Sequence, residues 1–105
     1  MLYELRLYTS RPNPALCDAA TQDAFASNFS RLAQTLKIAV VEARLDANGV
    51  VAVLRGPREL KATATERKFR SRLDRLLRDA MPSLGNKRLW LIGEMVATDG
   101  GPSAK

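Results

Sequence analysis

The sequence predicts an α+β domain in the order strand, helix, strand, strand, helix, strand. Three observations carry that prediction. Residues 2–8, LYELRLY, alternate strictly between two faces, as a half-buried strand does. Asn48-Gly49 separates two apolar, β-branched runs, which signals a hairpin. One segment on each side of that hairpin repeats apolar residues at three- and four-residue intervals, the spacing of a helix with one buried face.

In the first strand Tyr3, Leu5 and Leu7 point one way, and Leu2, Glu4, Arg6 and Tyr8 the other. Thr9 to Pro14 ends it in a turn-rich stretch, where Asn13 can cap a helix and Pro14 suits its first position. The helix is expected to run to about Leu36 with Phe25, Phe29, Leu32 and Leu36 as its stripe, and with Cys17 inside it as a small apolar residue. With Asn48-Gly49 as the turn, Leu45 faces Ala52, Ala43 faces Leu54 and Glu42 faces Arg55. Val41, Ala43, Leu45, Ala52 and Leu54 then share a wholly apolar face; Ile38, Val40, Glu42, Arg44, Val51, Val53 and Arg55 share the other. The second helix begins near Thr63, whose spacing to Glu66 is that of a capping box, or a turn earlier after Pro57. Its stripe is Phe69, Leu73, Leu76, Leu77 and Ala80, and Pro82 and Gly85 end it. The last strand spans Lys87 to Ala97. This order is the ferredoxin-like βαββαβ unit: a four-stranded antiparallel sheet with two helices on one face. One domain, residues 1–97, is expected, followed by a flexible polar tail, residues 98–105.

Composition limits the chemistry. The chain has 105 residues, no histidine, one cysteine and a net charge of +6. Without histidine there is no His-based triad, no His-containing zinc site and no ordinary general base near neutral pH. One cysteine makes neither an internal disulfide nor a thiolate metal site, and no Gly-rich phosphate loop occurs. No metal or cofactor is therefore expected. The N-terminus lacks the pattern of a secretory signal, and no apolar run approaches the roughly 18 residues of a membrane span. A cytoplasmic protein is expected, with no membrane partner.

Each helix has a single apolar stripe, so the two cover only one face of the sheet. The open face is expected to collect Glu4, Arg6 and Tyr8, then Val40, Glu42 and Arg44, then Val51, Val53 and Arg55, and finally Trp90, Ile92, Glu94 and Val96. It is too apolar for plain solvent and too charged for a core, which marks an interface. Its carboxylates and guanidiniums must pair with one another, hydrate or hold a ligand. As a small-ligand site, Arg6 or Arg55 would anchor an anion, Tyr8 or Trp90 would form an aromatic wall, and Glu42 and Glu94 would supply carboxylates. As an enzyme, the same Arg6 or Arg55 would steady an anionic intermediate while Glu42 or Glu94 moved a proton.

The opening MLYELRLYTSRPN resembles that of NIPSNAP-type proteins, whose first strand commonly reads Tyr-Glu-Leu-Arg, another residue, Tyr, with a proline shortly after. Tyr3, Glu4, Leu5, Arg6, Tyr8 and Pro12 carry the match. Those proteins are similar to the wider group of dimeric α/β-barrel domains. The resemblance implies a homodimer in which two subunits meet sheet to sheet and close the open face. It implies no catalytic residues. The strand order also resembles that of RNA-recognition domains, which stack bases on aromatic residues of the open face. Here VVAVLR has no aromatic residue, leaving Tyr8 and Trp90 as platforms.

The densest charge lies in ERKFRSRLDRLLRD, residues 66–79. Glu66–Arg70, Arg70–Asp74, Asp74–Arg78 and Arg75–Asp79 are each four apart, so much of it can be compensated along the helix. The alternative function is a basic binding module for nucleic acid or an acidic protein, through this helix or the open face. Its contacts would be Arg67, Lys68, Arg72 and Arg75, with an affinity that falls with salt.

Overall fold

The computed structural model describes residues 1–84, 89–90 and 92–98. Strand β1 (Leu2–Tyr8) leads through a short 3-10 turn (Pro14–Cys17) into helix α1 (Ala19–Thr35); strands β2 (Ala39–Asp46) and β3 (Gly49–Arg55) follow, then helix α2 (Ala62–Ala80) and strand β4 (Ile92–Ala97). The sheet order is β2-β3-β1-β4, with every neighbouring pair antiparallel. This is the expected α+β arrangement, with β1 and β3 at the centre. No helix among the described residues is long and apolar enough to cross a membrane.

One core lies between the sheet and the helices. Alternation in β1 buries Tyr3, Leu5 and Leu7, and β3 adds Val50, Ala52 and Leu54. Helix α1 contributes Phe25, Phe29 and Leu32, and α2 contributes Phe69, Leu73 and Leu77. Phe29 joins the helices, with its ring 4.8 Å from Phe25 and 5.6 Å from Phe69. The Tyr3 hydroxyl stays satisfied at the core edge by donating to the Pro57 carbonyl at 2.6 Å.

Helix α1 ends in a left-handed residue, Lys37, with φ of 61°. Ile38 N–H donates to the Ala33 carbonyl and Lys37 N–H to the Gln34 carbonyl, the two bonds of a Schellman cap. Ile38 is thereby turned into the core. A Cβ in this conformation costs energy that glycine avoids. Lys37→Gly is expected to stabilise the fold by about 1 kcal/mol, read as a higher urea midpoint at unchanged slope.

Several local expectations are corrected. The hairpin tip is Ala47-Asn48, not Asn48-Gly49: Asp46 pairs with Gly49, Leu45 with Val50, Ala43 with Ala52 and Glu42 with Val53. The Asp46 carboxylate accepts the Asn48 N–H at 2.8 Å and sets that turn. Gly49 instead enters the ladder opposite Tyr8, where the Leu7 carbonyl leaves no room for a Cβ. A bulge between Val40 and Glu42 then switches faces. Val40 turns to the core, Val41 is exposed, and Arg55 faces Ala39 rather than Glu42. The first helix is broken at Asp18, leaving Cys17 exposed on the 3-10 turn. Helix α2 starts at Ala62 without a side-chain cap: its N-cap is Lys61, which has no acceptor, and Glu66 pairs with Arg70. The last strand begins at Ile92. Of its expected members, residues 87, 88 and 91 lie outside the described set, as do Gly85, expected to end the second helix, residue 86 and tail residues 99–105.

Candidate functional site

Two surfaces are candidates, and they differ in charge. On the open sheet face, β1 presents Glu4, Arg6 and Tyr8 two residues apart, flanked by β3 and β4. Glu4 lies between Val53 and Val96, Arg6 between Val51 and Glu94, and Tyr8 between Gly49 and Ile92. Arg6 Nη2 contacts Glu4 Oε1 at 2.7 Å, and Arg6 Nη1 donates to the Tyr8 hydroxyl at 3.3 Å. Those hydrogen bonds, to Glu4 first and then Tyr8, raise the Arg6 pKa above its ordinary value, so Arg6 is a permanent cation. With Glu42, Arg44, Val51 and Val53 these residues line a shallow depression of about 550 Å³.

Not every expected member of the face belongs to this depression. Arg55 sits at the far end of β3, opposite Leu2 and Ala39, and does not line it. Glu94 is exposed beside Arg6 on β4. Trp90 is absent from the face: it precedes β4, is fully buried and packs beside α2 with Arg67, Arg70, Ser71 and Asp74. Tyr8 is then the only aromatic among the described residues of the open face. Acids and bases nearly balance on this face: Glu4, Glu42, Glu94 and the strand-end Asp46 stand against Arg6, Arg44 and Arg55. Strand β4 adds two strongly exposed apolar residues to it, Ile92, at 56%, and Val96, at 50%.

The second surface is the outer side of α2. Two of its six cations are spent within the helix, one turn from an acid. Arg70 Nε lies 3.0 Å from Glu66 Oε2, and Arg78 Nε donates to Asp74 Oδ2 at 3.0 Å. Arg67, Lys68, Arg72 and Arg75 remain, all exposed. At 100° and 1.5 Å per residue they occupy an arc of roughly 140° and a length of about 12 Å, opposite the buried stripe. Arg72 is steadied by donating to the Thr35 hydroxyl of α1 at 3.1 Å. One exposed acid, Asp79, stands a turn beyond Arg75.

Glu66 itself is buried at 4% exposure, under Gly93 of β4, where a Cβ would strike its carboxylate. Its position was legible in the spacing: it stands three residues before Phe69 and seven before Leu73, on the buried stripe. The Thr63 spacing instead suggested a cap. Among the described residues, no three His, Cys, Asp or Glu side chains converge as a metal set.

No family model matches the chain, and no curated protein matches it. A similar solved structure is described as "a putative transposase from deinococcus radiodurans r1"; it is 15% identical, covers 95% of this chain and 80% of that one, and superposes with a TM-score of 0.82. That likeness is one of fold.

Proposed function

We propose that this protein is a nucleic-acid-binding module that grips the phosphate backbone with the outer side of α2. The observation that carries this reading is the set of four exposed cations, Arg67, Lys68, Arg72 and Arg75, left after the two internal ion pairs of the helix. Point charges on one helix face recognise phosphates without reading base edges, so binding is sequence-tolerant. The transposase description of the structural neighbour agrees with a nucleic-acid role. The open face is less suited to strands, since it has no excess of bases and lacks Trp90 as a stacking platform. Release of counterions from about four phosphates gives a log–log salt slope near −3.6 on duplex and about −2.8 on single strands. Affinity for a mixed-sequence duplex is therefore expected to fall by roughly a hundredfold between 50 and 200 mM salt. No anisotropy change with duplex or single strand at 50 mM salt would overturn the proposal.

A second reading concerns the open face and rests on its exposed Ile92 and Val96 within a nearly charge-balanced surface. Two copies meeting face to face bring little net repulsion and cover apolar area. The homodimer implied by the NIPSNAP-type resemblance is of this kind, and the depression around Arg6 would become its interior, available to a small anionic ligand. Val96→Lys tests the dimer directly. The new ammonium sits opposite Glu4 in the free chain and is tolerated there, but it is buried unpaired in the dimer. Light scattering is expected to give a dimer for the natural chain and a monomer for the variant. A natural chain that stays monomeric at roughly 50 μM would remove this reading, since standard interfaces hold well below that concentration.

A further inference from the structure

We propose that the notch between α2 and Trp90 is a seat for a phosphate dianion, either free or at the end of a nucleic-acid strand. The strand form rests on the nucleic-acid reading above; the notch itself rests on separate observations. It is a recess of about 380 Å³ lined by Arg67, Arg70, Ser71, Asp74 and Trp90.

The seat follows from an account of donors and acceptors. Trp90 is fully buried, and its indole N–H has no acceptor among the described residues. A buried donor left unpaired is uncommon and calls for a partner that those residues do not supply. Among the described residues, the one carboxylate in the wall is already engaged. Asp74 Oδ1 takes the Leu89 N–H at 3.2 Å, and its Oδ2 takes the Arg78 guanidinium at 3.0 Å. Arg70 is held by Glu66 on the inner side of the helix. What remains is the Arg67 guanidinium, the Ser71 hydroxyl one turn further on, and the Trp90 N–H from the segment before β4. Among its described residues the recess therefore has open donors and no unpaired carboxylate, since Glu66 and Asp74 are each paired with an arginine. A phosphate monoester fits that deficit. It brings a double negative charge and several oxygens that can accept from the helix and from the indole at once. A phosphodiester within a strand is flanked by sugars on both sides and enters a recess less easily than a chain end does.

Trp90 is the only tryptophan in the chain, so its fluorescence reports directly on the notch. Inorganic phosphate added at constant ionic strength against chloride is expected to change Trp90 emission saturably. Arg67→Met should weaken that titration by about tenfold, as loss of a charged hydrogen bond does. In parallel, a strand labelled at its 3′ end is compared with and without a 5′ phosphate by anisotropy. The phosphorylated strand should bind about tenfold tighter, and the advantage should vanish in Arg67→Met and in Trp90→Phe. A response to free phosphate with no gain from the 5′ phosphate assigns the seat to the free anion. If neither form of the strand binds while phosphate still titrates Trp90, the seat stands and the nucleic-acid reading falls. If phosphate leaves Trp90 unmoved and the 5′ phosphate brings no gain, the seat is overturned, whatever the unphosphorylated strand does on α2.

Discussion

Replacing Arg67, Lys68, Arg72 and Arg75 together with Gln is expected to lower duplex affinity about a thousandfold at 0.15 M salt and to flatten the salt dependence. The magnitude follows from counterion release. Four phosphate contacts at about 0.9 counterions each, set against a salt concentration of 0.15 M, amount to roughly three orders of magnitude. The fold should not suffer. All four side chains are exposed, and exposed substitutions usually stay within about 0.5 kcal/mol. The changes also relieve like-charge neighbours one turn apart, Lys68 with Arg72 and Arg72 with Arg75, so the melting temperature should hold or rise slightly. Arg11→Gln with Arg58→Gln is the matched control, since it removes two exposed charges elsewhere. That pair should leave the slope unchanged. If the control weakens binding as steeply per charge as the α2 variant, the attraction belongs to the net charge of +6 and not to this helix.

Gly49→Ala is expected to cost about 3 kcal/mol, one of the largest losses available from a single methyl group. Gly49 has φ of 137°, a conformation that L side chains rarely adopt. A Cβ there would also drive into the Leu7 carbonyl oxygen, 2.9 Å from its carbon and 3.2 Å from the Tyr8 Cα. These are backbone atoms of the neighbouring strand, so nothing can swing aside; the pairing of β1 with β3 must part locally. Both strands are central in the sheet. For a domain of this size, whose total stability is of order 5–15 kcal/mol, the loss corresponds to a fall of roughly 15 °C in melting temperature. Thermal melting followed by circular dichroism checks it. An unchanged melting temperature would mean that Gly49 is not in the β1–β3 ladder, and the turn would return to Asn48-Gly49.

That same glycine shows where local reading stops. Asn48-Gly49 carries the strongest short-range hairpin signal in the chain, yet neither Ala47 nor Asn48 has a positive φ, and the turn forms one residue earlier. The glycine is needed for the approach of β1, which lies some forty residues away in sequence. The register moves by two residues, so the faces of Leu45, Ala52 and Leu54 survive, while the expected Glu42–Arg55 pair is lost. Residue Val41 was placed in the core by parity, but a bulge cancels parity without any sequence signal of its own. Tryptophan 90 is the most consequential case. Alternation along an extended last strand assigned it to the open face. It lies outside that strand, and the volume beneath α2 takes it instead.

By itself the sequence determined the order of the elements, the inward faces of β1, α1, β3 and α2, and three cations on α2, Arg67, Lys68 and Arg72, that have no acid four residues away. Each of these depends on periodicity within one element, where the geometry repeats every two or 3.6 residues and needs no partner. Only the tertiary structure decided the hairpin register, the placement of Gly93 over Glu66, the removal of Arg55 and Trp90 from the Arg6 depression, and the notch that Trp90 forms with α2. Each of those depends on how closely a distant strand or helix approaches, and close packing sets that approach for the whole core at once.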